Sequence, residues 1–360
     1  MSPTSETSAQ PQAPLSDRQG RVVDYLRISV TDRCNYRCTY CMPEDGVDHV
    51  DRADILSFEE IAALVRCFVD LGVTRIRLTG GEPTVRRDLL DLVAMLRAIS
   101  GLREIALSTN GDRLVELAGP LRAAGVDRLN VSIDTLDPER FRSITRRGDL
   151  HRVLAGVEAA VGAGFAAIKI NTVAIKGFND DEVGALCRYA FDRGLVPRFI
   201  EQMPMSGGDL FVPGQLLSAA EIRRLVEAAF AGEVLRPAAN AQAKGAGPAR
   251  YWRLGPANES GAENDTRGPW QERPREVGII SAMTEHFCDT CNRVRLSASG
   301  ALHTCLAHDD AVDLRQVLHA GGPPAVAAAV RAALGQKRDG HTFQLIGIGG
   351  PRKAMIQIGG

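Results

Sequence analysis

Lysine is almost missing from this 360-residue chain: only five of its 43 basic residues are lysines, and the rest are arginines. Aromatic residues are sparse at 5%. With 44 acidic residues the net charge is −1, so no broad basic surface for nucleic acid or an anionic membrane is implied. No apolar run reaches transmembrane length. The opening MSPTSETSAQPQAPLSDRQG has neither the basic start nor the apolar centre of a signal peptide. These absences predict a cytoplasmic protein with no nucleic-acid or membrane partner and a disordered tail over residues 1–20. The chain also lacks a G-x4-GK[ST] phosphate loop, so any nucleotide must be held by other means.

Six of the eight cysteines fall into two triads, Cys34, Cys38, Cys41 and Cys288, Cys291, Cys305. In a reducing compartment such groups favour metal binding over disulfides. Cys67 and Cys187 sit in apolar helical patterns and read as inert core residues. A closed zinc site wants four ligands, usually from two close pairs. The spacing C-x3-C-x2-C does not supply that, and the nearest fourth candidate is His49. Three thiolates on a [4Fe–4S] cluster leave one iron free to bind a small molecule. The second triad has His286, His303 and His308 close by, so a Cys3His zinc site stays open there on residues alone.

Between residues 25 and 203, six β-rich runs alternate with helical patterns, which implies a parallel sheet. A doubly wound sheet and a six-unit barrel both fit this alternation. A polar group stands at or near the C-terminal end of every strand, and only a barrel brings all those ends to one mouth. We therefore expect an α/β fold, a partial TIM-like (β/α)6 open barrel, over residues 21–217. A C-terminal domain follows over 218–360, with a mobile loop at 237–274 and a Gly-Gly tail. The helix over DRLVELAGPLRAAG is expected to be interrupted at Gly119-Pro120. No helical period is read in the closing IGIGGPRKAMIQIGG.

Several charged residues stand out within this frame. Arg27 and Arg77 alternate with apolar neighbours in their strands, so each faces a side where an unpaired charge is expensive. Arg293 and Arg295 share one face of an extended segment. Lys169 lies in the apolar strand AAIKINTVA, where it needs an anion or must snorkel to solvent. Gly80 and Gly81 in TGGEP let backbone approach a ligand closely.

The spacing Cys34-x3-Cys38-x2-Cys41, with Tyr40 before the last cysteine, resembles the radical S-adenosylmethionine (SAM) superfamily. The segment FCDTCNRVRLSASGALHTCL, with the terminal Gly-Gly, resembles one family within it, the GTP 3′,8-cyclases of molybdenum cofactor biosynthesis. That resemblance covers residues 25–205 and 276–360. It implies a lyase with two [4Fe–4S] clusters of three cysteine ligands each, plus SAM as cofactor. A 5′-deoxyadenosyl radical then abstracts the ribose 3′ hydrogen of GTP, and C3′ bonds to guanine C8. The resemblance assigns Tyr40, Gly81, Ser132 and Met203 to SAM. It assigns Arg27, Arg77, Ser108, Lys169, Arg293 and Arg295 to GTP, and catalytic parts to Arg27, Lys169, Gly359 and Gly360. It also implies an electron donor such as flavodoxin or ferredoxin, and a cyclic pyranopterin monophosphate synthase that receives the product. A homodimer is among the assemblies it allows. Two other readings stay open: a radical SAM peptide modifier with an auxiliary cluster, and a zinc-bound interaction module.

Overall fold

A computed structural model describes residues 14–205, 211–238, 247–257 and 274–358. Strands β1 (Tyr25–Ser29), β2 (Arg75–Thr79), β3 (Glu104–Thr109), β4 (Arg128–Ser132), β5 (Ala167–Ala174) and β6 (Val196–Glu201) pair in parallel and in sequence order. The helices between them are α1 (Phe58–Asp70), α2 (Leu89–Arg97), α3 (Leu114–Ala124), α4 (Pro138–Thr145), α5 (Leu150–Gly162) and α6 (Val183–Phe191). The 1-2-3-4-5-6 order decides between the two expected architectures. A doubly wound sheet reverses direction at a switch point, and this one does not. Right-handed crossovers in unbroken order put every helix on one face, as in a barrel.

The barrel is open, and the C-terminal third extends both of its edges. After α7 (Ala219–Ala229) come β7 (Glu233–Pro237), β8 (Arg250–Pro256) and β9 (Glu276–Ile280). β9 adds in parallel to β6, and β8 and β7 continue antiparallel from it. β10 (Arg293–Leu296) adds in parallel to the other side of β1, followed by β11 (Ala301–His303) and β12 (Val312–Asp313). One twelve-stranded sheet results. Helix α8 (Leu314–Gly335) bends sharply at Gly322, where φ is 64°. A short α9 (Met355–Ile358) buries Ile356 and Ile358. No helix among the described residues is long and apolar enough to cross a membrane.

Strand alternation sorts the two faces. Leu26, Ile28, Ile76, Leu78, Ile105, Leu107, Leu129 and Val131 point to the helical layer and form the core with Ile61, Leu64 and Phe68 of α1. The intervening residues point inward. Parallel strands covered on both sides are normally apolar throughout. Here the inner face carries Arg27, Arg77, Asn130, Asn171 and Arg198 instead.

Four expectations need correction. The disordered tail expected over 1–20 does not hold for residues 14–20, where Leu15 is buried in the core and its carbonyl accepts from Val23 N at 2.7 Å; residues 1–13 lie outside the described residues. The loop over 237–274 contains β8, whose Tyr251 and Leu254 are buried. Two inward apolar residues flanked by Gly and Pro gave too weak a period to mark it. Helix α3 runs straight through Pro120, because Leu114, Ala118 and Leu121 are buried against neighbouring helices. The C-terminal segment is not wholly irregular, since α9 tucks two isoleucines inside.

Candidate active site

The first cysteine triad follows β1 on a loop pinned from several sides. Tyr36 donates its hydroxyl to Asp112 Oδ1 at 3.1 Å and packs edge-on against Phe141. Arg37 N and Thr39 N donate to the carbonyls of Thr145 and Ile144. The TGGEP segment presses directly on this loop. A Cβ at Gly80 would lie 2.5 Å from Thr31 O, and one at Gly81 would lie 2.3 Å from Arg33 O. The glycines thus make room for the cysteine loop's own backbone. Buried Glu82 ties the arrangement to the end of β3, accepting from Thr84 Oγ1, Thr109 Oγ1 and Asn110 N.

Burial pushes the Cys34 thiol up to about 11 and the Cys41 thiol up to about 12, and pushes Cys38 well above its ordinary value. Such thiols ionise readily only beside strong positive charge, which bound iron provides. Among the described residues no three His, Cys, Asp or Glu side chains converge tightly enough for a single metal ion. A cluster asks for less convergence, because each thiolate meets a different iron. Three cysteine thiols on one loop suit a [4Fe–4S] cluster with one iron left open. His49 Nδ1 pairs with Asp32 Oδ2 at 3.3 Å.

A cavity of about 270 Å³ lies on the inner face of the sheet. Of the expected site residues, Arg27, Tyr40, Arg77, Ser108, Ser132, Met203, Arg293, Arg295 and the whole second triad line it. Cys34, Cys38, Cys41, Gly81 and Lys169 do not. Gly359 and Gly360 lie outside the described residues. Tyr40 donates to Asp134 Oδ2 at 2.8 Å, and burial raises the Asp134 carboxyl to about 6.

The cations come from adjacent strands in register. Arg295 of β10 stands opposite Arg27 of β1, which stands opposite Arg77 of β2. Their spacing is therefore set by the strand spacing, about 4.8 Å per rung. Arg77 also donates to the Tyr25 hydroxyl and, at 3.4 Å, to Ser108 Oγ. Burial, and after it Arg295, pulls the Arg27 guanidinium well below its usual range, and burial with Arg293 brings Arg295 to about 10. Lys169 is also buried; burial and then Arg198 lower its pKa strongly. Cations crowded and desolvated in this way suit a site built to receive a polyanion.

Sequence reasoning missed several participants. Arg198 sits in the apolar strand VPRFIE and donates to Asn171 Oδ1 at 2.8 Å. Its signal was the same alternation that marked Arg77. Tyr251 of β8 accepts from Lys169 Nζ at 2.7 Å. Its ring fits because Gly278 stands opposite it; a Cβ there would lie 2.9 Å from Tyr251 Cε1. No local pattern announces that contact.

The second triad lines the same cavity. Burial alone would raise the Cys291 thiol, but Arg293 and Lys337 more than offset it and bring it to about 6. Arg293 stacks over Phe287, with 5.4 Å from its guanidinium carbon to the ring centroid. Of the three nearby histidines, His286 Nδ1 pairs with Ala282 O and His308 Nε2 with Gly340 O, while both His303 ring nitrogens are buried with no hydrogen-bond partner among the described residues. The N-terminal segment braces this loop: Arg21 Nη1 donates to Cys288 O at 2.7 Å and to Asp339 O at 2.8 Å.

Residues 28–190 match the family model described as the Radical SAM superfamily, and residues 196–343 match the one described as Molybdenum Cofactor Synthesis C. A GTP 3′,8-cyclase of Pseudomonas entomophila is 45% identical over 340 residues, covering 94% of this chain and 95% of the relative. One from Pelotomaculum thermopropionicum is 43% identical over 347 residues, covering 96% of this chain and 100% of the relative. Among solved structures, Streptococcus suis SuiB bound to its precursor peptide SuiA gives a TM-score of 0.47 at 17% identity, covering 59% of this chain and 46% of that one.

Proposed function

This chain belongs to the GTP 3′,8-cyclase family of radical SAM proteins, and from that premise we propose that it joins ribose C3′ of GTP to guanine C8. The product is (8S)-3′,8-cyclo-7,8-dihydroguanosine 5′-triphosphate, the first intermediate toward molybdopterin. The observation that carries this reading is one cavity that brings together Tyr40 beside the first triad, the arginine row and the second triad. Held by the first triad, a reduced [4Fe–4S] cluster with SAM would supply the 5′-deoxyadenosyl radical chemistry for abstracting the ribose 3′ hydrogen.

The residues of the chain provide containment and charge. Cys34, Cys38 and Cys41 would hold the first cluster, and Tyr40, Gly81, Ser132 and Met203 would form the SAM side. Arg27, Arg77 and Arg295, in one row across the sheet, grip the triphosphate with Arg293, Lys169 and Ser108. Arginine suits this work because its planar fork meets phosphate oxygens two at a time. Triphosphate charge relieves the mutual repulsion of these buried cations, so binding energy is concentrated at the end of the substrate remote from the chemistry. The ribose is thereby fixed for a single hydrogen abstraction. Cys288, Cys291 and Cys305, which line the same cavity, would hold a second [4Fe–4S] cluster, and catalytic parts for Gly359 and Gly360 rest on the family resemblance alone. Electrons come from a flavodoxin or ferredoxin, and the product passes to a cyclic pyranopterin monophosphate synthase.

The test is anaerobic turnover with GTP deuterated at the ribose 3′ position. Deuterium appearing in 5′-deoxyadenosine, with GTP but not ATP stimulating its release, is the expected result. Deoxyadenosine formed without label and without regard to GTP would overturn the substrate assignment.

A further inference from the structure

Lys337 follows α8 in the polar run GQKRDG, where a lysine is ordinarily solvated, yet it is 2% exposed. A lysine so deeply buried must satisfy three donors and one charge. Two donors go to carbonyls, Cys291 O at 3.0 Å and Arg293 O at 3.3 Å. The charge faces Cys291 Sγ at 3.9 Å and Asp17 Oδ2 at 3.9 Å. Asp17 is already engaged by Arg21, through Nε at 2.5 Å and the backbone N at 3.1 Å. The sulfur also lies 3.9 Å from Arg293 Nη2. That guanidinium, however, lines the cavity and is placed to follow the substrate. Lys337 is not among the residues that line the cavity, and its partners are the Cys291 and Arg293 carbonyls, Cys291 Sγ and Asp17.

We propose that Lys337 is a positioning residue for the second cysteine triad. It is a fixed cation that biases that site toward its more reduced state and holds Cys291 and Arg293 in one geometry. The inference rests on the reading above that this triad holds a [4Fe–4S] cluster. One-electron reduction by the donor protein adds one negative charge to the cluster and its thiolates, and the donor is oxidised by one electron. A cation held against a ligand sulfur stabilises the added charge and raises the reduction potential. The two carbonyl bonds span the stretch from a cluster ligand to a residue of the arginine clamp, so the same side chain links both.

The experiment is a redox titration of the reconstituted holoenzyme, followed by electron paramagnetic resonance, with iron measured on each sample. Lys337→Met is expected to lower the second cluster's midpoint by about 59 mV or more, a tenfold change in a one-electron equilibrium. The first cluster should not shift, and Lys337→Arg should stay near wild type. A fully loaded Lys337→Met with an unshifted midpoint would overturn the proposal. If Lys337→Met fails to load, Lys337→Gln keeps a donor for the carbonyls without the charge, and the same midpoint criterion applies to it. If neither neutral variant loads, Asp17→Asn decides. Removing the competing carboxylate should raise the midpoint, and no rise counts against the proposal. Wild-type iron matching only one cluster is a different failure, because it removes the second cluster itself.

Discussion

Arg293 and Arg295 project from one short strand into the same cavity, with no acidic residue opposite them in the sheet register. A charge-assisted hydrogen bond contributes about 1.5–3 kcal/mol, so Arg293→Ala and Arg295→Ala should each weaken GTP binding roughly 10- to 100-fold. SAM cleavage uncoupled from GTP should persist in both, and calorimetry beside a deoxyadenosine assay separates the two effects. Lys169 makes a prediction about pH. Its folded pKa lies below the ordinary 10.5, so the native state binds fewer protons there than the unfolded chain. Stability should therefore rise as pH climbs through the folded value toward 10.5, and Lys169→Met should remove that gain in urea denaturation across pH 7–10. Arg27, Arg77, Arg293 and Arg295 were legible as inward cations because each interrupts an apolar strand. Arg198 offered the same sign. Lys337 offered none, because its neighbours in sequence are polar and its burial arises from chain segments far away.

The turn after β2 and the cysteine loop are fitted to each other at backbone contact. A methyl group at position 81 meets Arg33 O at 2.3 Å, and neither partner can yield without moving Cys34. Gly81→Ala should fold yet lose iron from the first triad, which iron analysis and visible absorbance would reveal. Helix α7 begins with a capping box, Ser218 and Glu221 each bonding the other's backbone. Ser218→Ala should cost about 1 kcal/mol of stability by denaturant titration. The Glu221 carboxyl, held near 2 by Ser218 and then Lys176, contributes stability that is present above its ordinary 4.5 and lost as pH falls toward 2. Helices with such signatures were readable in advance, and α1, with Ser57 and Glu60, is another. β8 was not, because what makes it a strand is pairing with β7 and β9 rather than anything in RYWRLGP.

Over the whole molecule, strand–helix alternation announced a parallel sheet but left its closure undecided. The unbroken strand order settles that it is a barrel, and what no local pattern showed is non-local: β10 and β9, each distant in sequence, dock on the two edges that a six-unit barrel leaves open. A fragment of residues 21–217 should therefore expose both edges. It should aggregate or lack a cooperative thermal transition, whereas the full chain should unfold in one; circular dichroism and size-exclusion chromatography would distinguish the two.

The brace formed by Arg21 has a consequence for how the protein is made. Its guanidinium emerges early in synthesis, but the carbonyls of Cys288, Arg338 and Asp339 that it binds emerge near the end. Until then Cys288, Cys291 and Cys305 hang on an unlatched loop, open to air and stray metal. The beginning of the polypeptide thus waits for residues 338 and 339, and the loop of the second triad is latched only once they have emerged. Translation that stops short of Lys337 should yield a product that can assemble its first cluster loop but never shield its last three thiols.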